Sequence, residues 1–256
     1  MPTQRQFLSA VLIARDAATQ LRECLESLAF ADEIVLVDSG SADGTAELAR
    51  SFGARVLQQD WLGFGPQKQF AVRAARHDWV LSIDCDERVS PALARAIEAA
   101  LVEPRHGGYL MPRANFFMGR YLRHGEGYPD WSLRLFDRRV ANWSDDAVHE
   151  KVLTVASVAH LPRNAPLLHH SAESLATYLD KQNRYTTLQA ERMLAQGKRA
   201  SALRIVGAPL ARFVKFYFFK RGFMDGLPGL VHIAIGCFAS FLKYAKVGAA
   251  RAAEKK

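Results

Sequence analysis

Two carboxylates one residue apart, Asp84 and Asp86, follow the apolar run Trp79-Val80-Leu81-Ser82-Ile83 in a sequence of 256 residues. Carboxylates are hard oxygen ligands, so such a pair suits a divalent cation, and a cation there would let acidic side chains accept a diphosphate. The plain alternative is a solvated turn whose acids only cap the helix that begins near Pro91. A second apolar run, Glu33 to Val37, ends the same way in Asp38 and continues Ser39-Gly40-Ser41-Ala42-Asp43-Gly44-Thr45 into a helix start. In open α/β sheets ligands bind outside the carboxyl ends of the strands. Two strands ending in acids therefore predict one acidic ligand edge. Asp38 and Asp43 flank the glycines and would repel a bare phosphate, which argues against a dinucleotide-binding G-x-G-x-x-G loop. A carboxylate at Asp38 suits a base N–H or a ribose hydroxyl instead.

These acids need a sheet beneath them, and the first half of the chain alternates accordingly. Apolar runs predict strands near 7–13, 33–38, 54–57 and 79–84, with helices near 17–29, 43–52, 66–76 and 91–103. That alternation gives a parallel sheet with helices on both faces. From Gly107 to about Leu168 the pattern breaks into short apolar pieces among Gly, Pro, Trp and His. It reads as an active-site floor and loops rather than a regular layer. A polar amphipathic helix is predicted over roughly 172–196.

The composition fits one α/β domain with appendages, at 49% hydrophobic residues. Cys24, Cys85 and Cys237 are odd in number and lack metal-ligand spacing, so reduced thiols in a cytosolic compartment are expected. No secretion signal is visible at the N-terminus. The net charge of +8 is unevenly placed: residues 1–197 hold 22 Lys/Arg against 24 Asp/Glu, whereas residues 198–256 hold 12 against 2. Aromatic residues such as Phe213, Phe216, Tyr217, Phe218, Phe219 and Phe223 interleave with those cations. Either a nucleic-acid contact or a helical face packed on the catalytic domain fits basic residues among aromatics. An anionic membrane surface explains the long apolar sections as well, through snorkelling Lys and Arg. The uncharged run Gly226 to Leu242 has 17 residues broken by Pro228, Gly229, His232 and Gly236, so a surface-lying or re-entrant segment is expected rather than a spanning one.

With these motifs in view the chain resembles glycosyltransferase family 2, whose members adopt the GT-A fold. The resemblance covers most of residues 7–170: the first strand leading into Ala14-Arg15-Asp16, Val37-Asp38-Ser39-Gly40-Ser41 with Asp43-Gly44-Thr45, and Asp84-Cys85-Asp86. Gly63-Phe64-Gly65-Pro66-Gln67-Lys68-Gln69, Tyr128-Pro129-Asp130-Trp131, Arg134-Leu135-Phe136, Val148-His149-Glu150 and the tail element Gly222-Phe223-Met224-Asp225-Gly226 are similar to the bacterial lipopolysaccharide inner-core glucosyltransferase branch. The implied fold is α/β: a Rossmann-like, mainly parallel sheet flanked by helices, with a C-terminal helical, membrane-associating extension. The implied division is a catalytic domain over 1–170, with a nucleotide-sugar half 1–104 and an acceptor and metal half 105–170, then a basic, aromatic helical region over 171–256.

The resemblance also implies roles. Asp38 would accept from the base or ribose with Ala14 and Arg15 beside it, and Lys68 would lie along the nucleotide. Asp84 would touch ribose or a metal-bound water, and Asp86 would ligate Mg²⁺ or Mn²⁺. His149 matches a late metal-ligating histidine, or else pairs structurally with Glu150; His169 and His170 are rivals for that role. Asp130, with Glu126 second, matches the general base that takes a proton from the acceptor hydroxyl; a turn-capping aspartate is the alternative. Arg134 would meet the diphosphate or the acceptor, or would pair with Asp137 or Asp130. Two departures stand out: Arg15-Asp16 replaces a Tyr-Asn-type pair, and Asp38-Ser39 replaces a double aspartate. The expected activity is inverting, metal-dependent transfer of a hexose, glucose from UDP-glucose, to a lipid-linked heptose of the lipopolysaccharide core. It would take place at the inner face of the cytoplasmic membrane, with no nucleic acid involved. The rival readings are a sugar-phosphate nucleotidyltransferase, for which Ile13-Ala14-Arg15-Asp16-Ala17 lacks the triphosphate-holding glycines, and a non-enzymatic membrane- or nucleic-acid-binding module.

Overall fold

The parallel half of the sheet follows from apolar runs that can be covered on both faces. In the computed structural model, which describes residues 5–146, 150–170 and 174–253, strands β1 (Leu8–Ala14), β2 (Glu33–Asp38), β3 (Arg55–Gln58) and β4 (Trp79–Ser82) alternate with helices α1 (Ala18–Glu26), α2 (Thr45–Ser51) and α3 (Phe64–Ala74). They lie in the order β3-β2-β1-β4, every pair parallel. On one face Leu8, Ala10 and Leu12 pack with Leu21, Leu25 and Leu28 from α1 and its C-terminal end, and with Leu93, Ile97 and Leu101 of α4 (Pro91–Val102). On the other, Val11, Val35, Val37 and Val80 pack with Ala71 and Val72 of α3. Ser90 caps α4 by accepting from the Leu93 N–H, with Pro91 at the first helical position.

Beyond β4 the sheet continues through pairs that are mostly antiparallel, with β11 parallel to β6, and β9 and β10 form a small antiparallel sheet of their own, where a regular layer was not expected. The strands are β5 (Glu87–Val89), β6 (Gly108–Phe117), β7 (Arg120–Tyr121), β8 (Asp130–Asp137), β9 (Ala141–Trp143), β10 (Val152–Thr154), β11 (Val158–His160) and β12 (Leu167–His169). The order runs on as β4-β8-β6-β12-β5, with β11 and β7 paired to β6 and β9 to β10. β6 is ten residues long but contains Pro112 and a register shift between Tyr109 and Leu110. Proline lacks the ladder N–H and a shifted register breaks the period of two, so the run does not read as a strand.

The chain divides into two units: residues 1–114 with 130–170, and residues 115–129 with 171–256. In the second, α5 (Leu175–Ala195) and α6 (Ala202–Phe213) are capped by Ser174 and Ser201, a π-helical turn (Val214–Phe219) and a 3-10 turn (Gly222–Asp225) follow, and α7 (Gly226–Ala253) packs on α5 and α6. Asp225, fully buried, accepts from the N–H groups of Arg123 and His124 at 2.9 and 2.8 Å, which fixes the 119–127 loop to the helices. A Cβ at Gly222 would collide with Ile233, and one at Gly229 would stand 2.7 Å from the Asp225 Cβ. The glycines of the tail motif thus permit close backbone approach.

Candidate active site

The Gly63–Gln69 segment folds as the first turns of α3, and each polar side chain in it has a task. A Cβ at Gly65 would collide with the carbonyl oxygen of Ser144 and lie 2.8 Å from that of Asp146, so only glycine lets the 144–146 segment cross the helix. Gln69 Oε1 accepts from the Trp143 N–H at 2.7 Å, and Gln67, fully buried, donates to Ser39 Oγ and to the Gln59 carbonyl. Lys68 is thereby placed, 5% exposed, with its Nζ 4.7 Å from the centre of the Trp143 ring. Burying an ammonium group demands carboxylate partners. Lys68 has two, Asp84 at 3.0 Å and Glu150 at 2.9 Å.

Asp84 belongs to a tight turn after β4, closed by Glu87 N–H to the Asp84 carbonyl and by Asp84 N–H to Glu87 Oε2. Its second carboxylate oxygen accepts from Arg134 of β8 at 2.6 Å. Arg134 also reaches the fully buried Glu87 at 3.1 Å, and Glu87 meets Arg113 of β6 at 3.4 Å. Arg113 grips Asp130 Oδ2 through Nε at 2.9 Å and Nη2 at 2.6 Å. The result is an alternating chain of charges, Glu150, Lys68, Asp84, Arg134, Glu87, Arg113, Asp130. Residues far apart in sequence come together because β8 lies between β4 and β6. Burial opposes ionisation of Asp84, but Arg134 and Lys68 on its two oxygens outweigh this and hold its carboxyl well below the usual carboxylate range. The same attraction outweighs the burial of Arg134 and raises its guanidinium further. Removing one of the buried inner members, Lys68, Asp84, Arg134 or Glu87, would leave a buried charge poorly compensated, at a cost of about 3–5 kcal/mol.

This chain borders a cavity of about 470 Å³ lined by Lys68, Asp84, Arg113, Trp131, Arg134, Trp143 and Glu150 among others. Arg134 Nη1 and Trp143 Nε1 are buried with no hydrogen-bond partner among the described residues. Each such group carries a desolvation cost of roughly 1–3 kcal/mol that a ligand oxygen would relieve.

Asp86 stands in a different setting from Asp84. β12 runs antiparallel to β5, with His169 opposite Glu87, and His169 Nε2 lies 3.1 Å from Asp86 Oδ2. Burial raises the Asp86 carboxyl, the His169 contact lowers it more, and the balance falls below the usual range. Carboxylate oxygen and imidazole nitrogen are a donor pair for Mg²⁺ or Mn²⁺, and two protein ligands leave positions for phosphate and water. The pair fits a divalent cation held jointly with a diphosphate. Asp84, expected as a ligand, is instead committed to Lys68 and Arg134, and the described residues contain no cluster of three acidic, histidine or cysteine ligands. His149 lies outside the described residues.

At the other strand ends Ala14 pairs in register with Asp38, on the same sheet edge. Asp38 is 1% exposed and accepts from Ser41 N–H and Oγ and from Gln58 Nε2. Its carboxylate therefore organises the 39–44 loop. Asp16, at a φ of 49° that aspartate tolerates, accepts from the Ala42 N–H, and Asp43 accepts from the N–H groups of Ala18 and Thr45, so the two loops cap each other. Arg15 is exposed beside them. Glu126 belongs to the second unit, where Arg212 binds both its carboxylate oxygens. Sequence reasoning missed Glu87, Arg113 and Trp143 as members of the site. Glu87 ends the same acidic stretch and was within reach; Arg113 and Trp143 had no local signal.

The profile of glycosyl transferase family 2 matches residues 9–157. The lipopolysaccharide core biosynthesis glycosyltransferase LpsC of Rhizobium meliloti strain 1021 is 31% identical over 94% of this chain and 91% of its own. A mannosyltransferase from Pyrobaculum calidifontis, solved with GDP-Man and Mn²⁺, superimposes with a TM-score of 0.53 at 16% identity, over 100% of this chain and 89% of its own. TarS of S. aureus, solved with UDP-GlcNAc, gives 0.51 at 15% identity over 97% and 92%. The two structures bear on the fold, which is GT-A, and the family excludes the nucleotidyltransferase and the non-enzymatic module. Acidic strand ends, an ion-paired cavity and a sequence matched across the sheet have one common account: the chain belongs to glycosyl transferase family 2 and is a glycosyltransferase.

Proposed function

We propose that this glycosyltransferase moves a hexosyl group, glucose from UDP-glucose, with inversion onto a heptose of a lipid-linked lipopolysaccharide inner core at the cytoplasmic face of the inner membrane. The observation that carries the catalytic reading is the alternating charge chain, which borders the cavity through Glu150, Lys68, Asp84, Arg134 and Arg113 and ends at Asp130 beside Arg113, while Asp86, two residues from Asp84, stands with His169. Likeness to LpsC, a protein of lipopolysaccharide core biosynthesis, supports the acceptor class. The two structural neighbours hold different nucleotides, so the uridine assignment rests on the inner-core glucosyltransferase motifs.

Asp130 takes the proton of the acceptor hydroxyl. Arg113 holds its Oδ2, and Oδ1 accepts no hydrogen bond among the described residues, on a side chain 40% exposed. Lys68 and Arg134 face the cavity as fixed cations that favour negative charge developing on a departing phosphate. The donors of Arg134 and Trp143, without a partner among the described residues, orient the bound sugar nucleotide. Ala14, Arg15 and the loop shaped by Asp38 form the nucleoside side. Asp86 and His169 would hold Mg²⁺ or Mn²⁺, which supplies Lewis-acid stabilisation of the nucleoside diphosphate when bound. The basic, aromatic tail of the second unit meets the membrane that carries the acceptor.

Calorimetry with UDP and GDP, with and without Mn²⁺, tests the donor and metal assignments. UDP should bind more tightly with Mn²⁺ than without. Asp86→Ala should erase the metal-dependent gain, and His169→Ala should weaken it roughly tenfold or more. Metal-independent binding in the native protein, or an unchanged gain in Asp86→Ala, sinks the proposal.

A further inference from the structure

By length and composition the segment Gly222–Ala252 qualifies to cross a membrane. One face of it carries polar partners along its whole length. Asp225 lies under the Arg123 and His124 N–H groups, and His232 Nε2 meets Tyr178 Oη at 3.2 Å. A Cβ at Gly236 would stand 2.6 Å from Glu126 Oε2, the carboxylate paired with Arg212. Lys246 Nζ binds Asn183 Oδ1 at 2.7 Å, Thr186 Oγ1 at 2.9 Å and Thr187 Oγ1 at 2.7 Å. At about 1.5 Å per residue, positions 225 to 246 cover ~30 Å, the thickness of a hydrocarbon core. A spanning α7 would therefore take an ion pair, a lysine and a buried aspartate into the bilayer at every depth, each at considerable cost.

The turns over 214–225 and the start of α7 present a different surface. Phe218, Phe219, Phe223, Met224 and Leu227 are 56, 81, 49, 50 and 64% exposed. Lys215, Lys220 and Arg221 are exposed among them. Between residues 198 and 253 the sole acid is Asp225, and it is fully buried. A surface apolar, cationic and free of acids is complementary to anionic headgroups over hydrocarbon.

We propose that the edge Phe218–Leu227 is an interfacial anchor that sinks into the headgroup boundary of an anionic bilayer, and that α7 lies on the membrane without crossing it. This deepens the membrane location proposed above and rests on it for its biological setting. The chemistry needed is a lipid surface, with the aromatic side chains as wedges and Lys215, Lys220 and Arg221 as headgroup contacts.

The full chain is sedimented with vesicles of phosphatidylcholine alone or mixed with phosphatidylglycerol, and the pellets are washed with alkaline carbonate. Sedimentation should require phosphatidylglycerol, and the wash should release the protein. The double variant Phe218→Ser with Phe219→Ser should bind at least about tenfold more weakly, and Lys220→Glu with Arg221→Glu should lose the preference for phosphatidylglycerol. Manganese-dependent UDP binding, measured on the same preparations, reports folding, and its absence from the native chain would tell against the donor assignment alone. Retention after the wash, equal binding to neutral vesicles, undiminished binding by the serine variant, or self-association of the chain in place of vesicle binding would each overturn the proposal.

Discussion

The charge chain holds four acids, Glu150, Asp84, Glu87 and Asp130, against three bases, Lys68, Arg134 and Arg113, so with every member ionised it carries one negative charge in excess. Asp84 and Glu87 are each tied to two cations, and Glu150, at one end, pairs with Lys68 on a side chain 18% exposed; Asp130, at the other end, is 40% exposed and keeps one oxygen without a hydrogen bond among the described residues. A proton acceptor has to reach substrate, and Asp130 meets that requirement best within the chain. Asp130→Asn preserves shape and removes the basic oxygen. Turnover with UDP-glucose and a lipopolysaccharide-core acceptor should fall about 10²- to 10⁴-fold, while UDP binding with Mn²⁺ stays within twofold or so of native. A kcat within roughly tenfold of native would move the base elsewhere. Of the residues at this scale, Asp84 and Asp86 were legible because they sit in a stretch whose composition marks a strand end, and Lys68 and Arg134 because they belong to motifs similar to the inner-core glucosyltransferase branch. Arg113 and Trp143 were not, since an arginine beside Pro112 or a tryptophan in a three-residue strand has no local pattern. His169 ranked below His149 because its place beside Asp86 depends on β12 pairing with β5 across some eighty residues.

At the scale of elements, α3 does more than cover the sheet. Gly65 admits the backbone of Ser144 and Asp146, Gln69 fixes Trp143, and Lys68 then meets Asp84 and Glu150 from the next turn. Gly65→Ala should therefore act through geometry: the methyl group pushes the 144–146 segment away, at about 1–3 kcal/mol of overpacking, and loosens the Lys68–Glu150 contact. Thermal melting should show the loss, and KM for UDP-glucose should rise. Unchanged melting and kinetics would mean the two segments do not touch in solution. The strands and helices of the first half could be read from the sequence because continuous apolar runs and 3.6-residue periodicity survive in parallel, doubly covered sheets. The strands after α4 were obscured by runs of only three residues and by Pro112. Asp38 was visible as a strand end, but its inward turn toward Ser41 and Gln58 was not, since a carboxylate facing a ligand and one closing a loop have the same sequence.

Over the whole molecule, net charge is +8 at neutral pH and the excess sits in residues 198–256, so acidification adds positive charge to a chain that already carries it. The carboxylates that resist this are held by cations and N–H groups at the edge of the parallel sheet. Burial opposes ionisation of Glu33, but Ser9, the Arg76 N–H and Arg55 outweigh it and lower the carboxyl; Asp32, with Arg5 and the Leu8 N–H, and Asp137, with Arg139, behave alike. Their depressed folded-state values mean that the unfolded chain binds more protons as pH drops. Their contribution is complete above the ordinary carboxylate range, about pH 4, and is lost as pH falls through it toward the lower folded-state values. Tm should accordingly hold nearly steady from neutral pH to about 5 and fall steeply below about 4. Glu33→Gln isolates one contributor, because glutamine keeps the shape and accepts from Ser9 but cannot titrate. The variant should melt below native at pH 7, and the gap should narrow as both are acidified, since protonation removes from the native protein what the substitution has already removed. Parallel curves at every pH would show that Glu33 contributes through packing, and that the acid response of the fold originates elsewhere.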